Sequence, residues 1–313
     1  MKAALVVAAF LAAIWVVLPA SPQETGFPAP AATAVRLPEP RELKGPAPSP
    51  VRYASTPSCE EEPFVCEPWV LVSAAGDRWR LPGATGDEPL ALSQDGTRAA
   101  YRDSTEGHFV VADLRRGKTT ILRMESEEPP LFSPDGRYLL VRTDQPRHPV
   151  VVNVDRGTMR ELDVPADVAG WTREGLVVRS RHPAGDLPGH LATLTYTVYS
   201  PAGRRIRAFT LPGNLTGSVS PSGRLMALAP VEFTPLDEVA RHVSLVDTAT
   251  GRQAGTVAVA VEEIVRWEGE NELVVRVAGP DPYRLLDLAT GRTTSLGVRM
   301  APAEGSVVIG ATQ

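Results

Sequence analysis

The ten residues FSPDGRYLLV, Phe132–Val141, place a Ser-Pro-Asp-Gly turn between a short apolar stretch and a hydrophobic run. A glycine after Asp tolerates positive φ without steric cost, so the stretch reads as a strand, a tight turn and a second strand. Variants of this turn return along the chain. SQDG ends at Gly96, TREG at Gly175, SPSG at Gly223 and WEG at Gly269. A second kind of turn alternates with the first. DLRRG ends at Gly117, NVDRG at Gly157, YSPAG at Gly203, DTATG at Gly251 and DLATG at Gly291.

Within each series the steps are 39 to 48 residues. The offset from a first-kind to a second-kind glycine is 21 or 22 residues in the regular units and 28 in two with insertions. Each unit holds four short runs suited to packed sheet faces, such as PLF, YLLVR, PVVVNV and TMREL. Four antiparallel strands in about 40 residues are the unit of a β-propeller. Five complete units run from Pro89 to Leu296. Before them, WVLVSAAGDRWRLPG reads as third and fourth strands, with Gly76 in the second-turn position. After them, VRMAPAEGSVVIGATQ reads as first and second strands, with Gly305 in the first-turn position. Joined, the ends make a sixth blade and remove open sheet edges. The expected fold is an all-β, six-bladed β-propeller whose N- and C-terminal strands share one blade.

LFSPDGRYLLVR followed by VVVNVDRGTMREL resembles the WD-like repeat of the TolB family, with its Phe-Ser-Pro-Asp-Gly turn. The resemblance runs from Trp69 to the C-terminus and weakens around Gly175 and Gly269. It implies an exported six-bladed propeller that acts through protein contacts and has no catalytic residues. This chain carries a Pro-rich stretch where TolB has an N-terminal domain, so the resemblance does not extend to that family's partners.

The N-terminus bears on location. Lys2 precedes an uncharged apolar run from Ala3 to Leu18, a signal-peptide core or a short membrane anchor over residues 1–20. From Pro19 to Pro50 there are nine prolines, a composition that packs no core. Residues 21–57 are therefore expected to be a linker and 58–313 the propeller. Cys59 and Cys66 are the chain's two cysteines. In an exported protein, so close a pair is expected as a disulfide and not a metal site.

A net charge of −5 gives no electrostatic case for nucleic acid, which needs a clustered basic surface. Glu88, Glu128, Asp167 and Glu262 start innermost strands, and Arg102, Arg142, Arg179 and Arg276 end second strands. The acids alone could ring a Ca²⁺ site. Acid and arginine are equidistant from each turn, however, and are expected to pair across the strands. His108, His148 and His242 recur at the start of third strands, too far apart for one metal ion. Phe132, Trp171 and Trp267 share one repeat position, as residues packing between blades do. No nucleophile elbow, metalloprotease motif or phosphate loop is present. No catalytic residue, metal or cofactor is expected.

The repeat is broken in two neighbouring second-to-third loops, 179–190 and 229–242. The first carries Arg181, His182, Asp186 and His190. The second carries Glu232, Phe233, Leu236, Asp237, Glu238 and Arg241, a mixture of apolar and charged groups suited to protein contact. Asn214 faces Pro230, so this unit lacks the acid–arginine pair. The expectation is a monomeric, non-catalytic module that binds another envelope protein through these loops and meets the membrane only through its N-terminal segment. The alternative is a small-ligand- or Ca²⁺-binding propeller, hydrolase- or lactonase-like, that uses the channel mouth.

Overall fold

The computed structural model describes residues 39–61, 64–124, 126–142, 148–164, 167–182, 193–212, 217–228, 242–298 and 305–312. Glu39–Gln313 form one compact unit, and no helix occurs among the described residues. Five four-stranded antiparallel sheets follow one another in chain order, and a sixth is assembled from both ends. The second of the five shows the pattern. Leu131–Phe132, Tyr138–Arg142, Pro149–Asn153 and Thr158–Glu161 pair in sequence, with Leu131 opposite Leu140 and Tyr138 opposite Asn153.

Burial explains the pattern. The second and third strands are sandwiched between neighbouring sheets, so they are apolar on both faces. Leu139, Leu140 and Val141 are at most 1% exposed, whereas Thr158–Glu161 on the rim is exposed throughout. There is no single central core. One cluster joins Ala91, Ala100 and Phe109 of blade one to Phe132, Leu139 and Val152 of blade two. Another joins Val274 and Tyr283 of blade five to Tyr53 and Val70 of blade six. Each fully buried Leu or Val contributes about 1.5–3 kcal/mol, so the ring is held by the sum of six inter-blade seams.

The sixth blade closes as expected, with strands from both termini, but with a different division. Gly305–Ile309 is its innermost strand, Val51–Pro57 its second, Pro68–Ser73 its third and Arg78–Thr85 its fourth. The C-terminus supplies one strand and not two. Gly305 therefore lies in a strand instead of a turn, with its φ outside the positive range. The expected linker 21–57 is also too long, because Val51–Pro57 belongs to the blade. Val51, Tyr53, Ala54 and Thr56 are buried there, and the strand's missing hairpin turn hid it among the prolines.

Ahead of that strand, residues 41–50 form a strap. Arg41–Glu42 pairs in parallel with the rim strand of blade six. Ala47 N–H then donates to the Leu114 carbonyl of blade one at 2.7 Å, and Val51 N–H to the Gly96 carbonyl at 2.9 Å. Gly96 and Gly117 both have φ near +65°; the strap at Gly45–Pro46 passes where the Cβ of residue 117 would stand, and Val51, where the strap joins the strand, lies where that of residue 96 would. Glycine is thus required at these two turns by conformation and by close approach together.

Candidate functional site: the two faces and the channel

First-to-second and third-to-fourth turns emerge on one face, here the turn face. Second-to-third loops and inter-blade connections emerge on the other, the loop face. On the loop face all four expected ion pairs form. Arg102 reaches Glu88 at 3.1 Å, and Arg142 meets Glu128. Arg179 grips both Asp167 oxygens, at 2.8 and 3.0 Å. That hydrogen bonding holds the Arg179 guanidinium more firmly protonated than usual, against the effect of its burial. Arg276 is shared, at 3.1 Å from Glu263 and 3.7 Å from Glu262. A bulge between Ile264 and Arg266 offsets this strand, and Glu263 becomes the residue in register with Arg276. Asn214 and Pro230 lie outside the described residues. Among the described residues no three His, Cys, Asp or Glu side chains gather as a metal site would require.

Histidines 108, 148 and 242 each stand just before a third strand, in separate blades. The repeated aromatics bind blade to blade. Trp171 Nε1–H donates to the Leu131 carbonyl of the preceding blade at 3.1 Å, and Trp267 to Ser218 at 2.9 Å. Trp69 adds a link of the same kind, to Glu88 at 3.1 Å.

The innermost strands enclose a cavity of about 460 Å³, lined by Leu90, Leu92, Val168, Val219, Val308 and other apolar side chains. Gln94 of blade one donates across it to the Trp267 carbonyl of blade five at 3.4 Å. Arg266 also lines this cavity, and both of its terminal amino groups are engaged by the fold while its buried Nε has no partner among the described residues. It donates to the Ile309 carbonyl at 2.7 Å, to the Gly310 carbonyl, and to Glu268 at 3.0 Å. Burial pulls its pKa below the ordinary value, and Glu268 opposes that shift. Sequence reading missed this residue because the bulge that positions it, between Ile264 and Arg266, lies inside the strand and leaves no turn signal of its own.

Blade three departs from the repeat. In blades one, two and five the second strand ends at the paired arginine, Arg102, Arg142 or Arg276. In blade three it continues past Arg179 through Ser180, Arg181 and His182, paired to Thr195, Leu194 and Thr193. Three further residues lift the sheet about 10 Å beyond its neighbours on the loop face. Thr193–Tyr199 and Arg205–Pro212 lengthen to match. The extension is built on buried Leu194 and Leu211, with Tyr196 stacked on Phe209 at 5.2 Å. Arg181 and His182, expected in a loop, therefore lie on a strand. Their side chains lie outside the described residues, as do Asp186, His190, Glu232, Phe233, Leu236, Asp237, Glu238 and Arg241. The strands flanking both insertions, Leu176–His182 with Thr193–Tyr199 and Leu225–Leu228 with Val243–Asp247, open onto the loop face in adjacent blades.

Cys59 and Cys66 form the expected disulfide. It closes a small hairpin, Glu60–Glu61 with Phe64–Val65, in the second-to-third loop of blade six. The bridge is thus also on the loop face, a placement the sequence reading lacked because it assigned the second strand of this blade to the C-terminal stretch instead of Val51–Pro57.

No protein-family model matches the chain, and no curated protein does. Among solved structures it is similar to TolB from Acinetobacter baumannii, with a TM-score of 0.51 at 16% identity. The match covers 83% of this chain and 67% of that one. A chain of a nidogen/laminin complex matches at a TM-score of 0.45 and 12% identity, over 83% of this chain and 99% of that one. The chain is a six-bladed β-propeller, with a fold similar to that of TolB.

Proposed function

We propose that this chain is an exported, non-catalytic propeller that binds another protein of the bacterial cell envelope through blades three and four of its loop face. The observation that carries this reading is the extension of blade three beside the insertion of blade four. A repeat that is regular in blades one, two and five is lengthened on one face of the two neighbouring blades three and four. Loops held on a rigid scaffold are where propellers and other β folds carry their contacts. The disulfide suits an oxidising compartment, and the apolar run Ala3–Leu18 suits export. The acids at the channel mouth are engaged by arginine, which favours a structural role for them over ion binding.

The apolar cavity supports a second reading, since about 460 Å³ is within the range of small-ligand sites. Crosslinking in the native envelope separates the two. Shortening the 229–242 loop removes discrete adducts if the loop face binds a protein. An unchanged adduct profile contradicts that reading and leaves the channel as the place to look.

A further inference from the structure

The turn face is charged differently from the loop face, and the cause is local. The outer turns of blades four and five follow the pattern Asp…Gly-Arg, and those of blades one to three carry arginine beside the glycine. In DTATGR, Asp247 Oδ1 accepts the N–H groups of Ala249 and Thr250 at 3.0 and 2.8 Å. In DLATGR, Asp287 does the same for Ala289 and Thr290, at 2.8 and 2.9 Å. These carboxylates fold back as half-buried caps, while the arginine after each glycine stands exposed. Arg115, Arg156, Arg204, Arg205, Arg252 and Arg292 occupy the outer turns of blades one to five. All are exposed, and none has a carboxylate partner among the described residues. The loop face has the opposite bias, with exposed Glu67, Asp87, Glu127 and Asp163 outside the ion pairs.

We propose that the turn face is an electrostatic docking surface for the anionic phospholipid headgroups of a bilayer. Three features favour a lipid surface over an acidic protein or a nucleic acid. The guanidinium groups sit on separate hairpin tips around the rim, a spread that matches a diffuse planar charge and not a groove. Met159 and Ile206, 53% and 39% exposed, stand on the rim strands of blades two and three. Each is within a few residues of Arg156, Arg160, Arg204 or Arg205, and blade two's Arg160 reaches blade three's Ala202 carbonyl at 2.7 Å. Apolar groups beside cations suit the boundary of headgroup and acyl chain. Finally, the strap enters the propeller along this face, past Gly117 and Gly96, with the apolar run Ala3–Leu18 preceding it in sequence. Docked this way, the protein presents its acidic loop face, with the blade-three extension, away from the lipid.

The test uses the full chain with an environment-sensitive fluorophore at Thr250→Cys, a turn-face position, and in a second sample at Asp163→Cys on the loop face. Vesicles of phosphatidylglycerol with phosphatidylcholine are compared with phosphatidylcholine alone. The label reports contact of its own face, whatever holds the rest of the chain. A shift is expected at Thr250→Cys with anionic vesicles only, and none at Asp163→Cys. Each basic side chain contributes about fivefold near an anionic surface, so combining Arg204→Gln, Arg205→Gln and Arg292→Gln should weaken the response about 100-fold. These residues are exposed, and an unchanged melting temperature confirms that the variant folds. Equal shifts with neutral vesicles, or an undiminished response in the triple variant, overturn the proposal. So does competition by poly-glutamate or duplex DNA as effective as that by lipid, which marks a general polyanion site. Shortening the 229–242 loop should leave the lipid response unchanged, so the two faces are tested separately.

Discussion

Arg266 of blade five donates a hydrogen bond of 2.7 Å to the carbonyl of Ile309, the last residue of the strand that closes the ring. The same guanidinium reaches the next carbonyl, Gly310. A buried, charged donor of blade five thus fastens the C-terminal strand, which pairs with Val51–Pro57 inside blade six. Replacing Arg266 with Met leaves two carbonyls and Glu268 without their donor. The expected cost is about 2–4 kcal/mol, read as a lower denaturant midpoint. Hydrogen exchange should accelerate first in residues 305–312.

The loop-face ion pairs are partly exposed, and each contributes about 0.2–1 kcal/mol. Glu128→Gln should therefore lower stability by less than about 1 kcal/mol. Ca²⁺ should not raise the melting temperature of the wild type. A large Ca²⁺-dependent rise that Glu128→Gln or Glu262→Gln abolishes would show these acids acting as ligands and not as strand partners.

The Cys59–Cys66 bridge closes a short loop, and the chain-entropy model gives it about 2.5 kcal/mol. Cys59→Ser with Cys66→Ser, measured by chemical denaturation, should lose about that amount without changing the sheet content seen by circular dichroism.

Asp95 supplies a pH dependence. Partial desolvation raises its pKa, but hydrogen bonds from Ser93 and Thr97, with Arg98 nearby, outweigh it and hold the group below the ordinary 3.8. A depressed carboxylate pKa stabilises the fold above the unfolded value, and that contribution is lost as pH falls through the folded value. Melting temperature should thus drop as pH is lowered through and below 3.8, and Asp95→Asn should remove part of that acid-dependent drop.

Most of the architecture was legible in the sequence because its signals are local. A tight turn closed by glycine needs only its own few residues, and eleven such glycines, from Gly76 to Gly291, count out the blades. Repeat geometry alone also brings Glu88, Glu128, Asp167 and Glu262 opposite their arginines. The sixth blade was harder. Its first and second strands are joined by no hairpin, so Val51–Pro57 carried no turn to announce it and sat among prolines. Arg266 was hidden for a related reason, since a bulge inside a strand has no period of its own. The blade-three extension looked like loop because Arg181 and His182 follow the residue at which every regular blade stops.

The central claim is that the extended blade three meets a protein partner on the loop face. A photo-crosslinking side chain at Thr193, on that extension, should give a discrete adduct in the native envelope. The same group at Thr119, on the rim of blade one, should give none. Indistinguishable adduct profiles from the two positions would contradict the account.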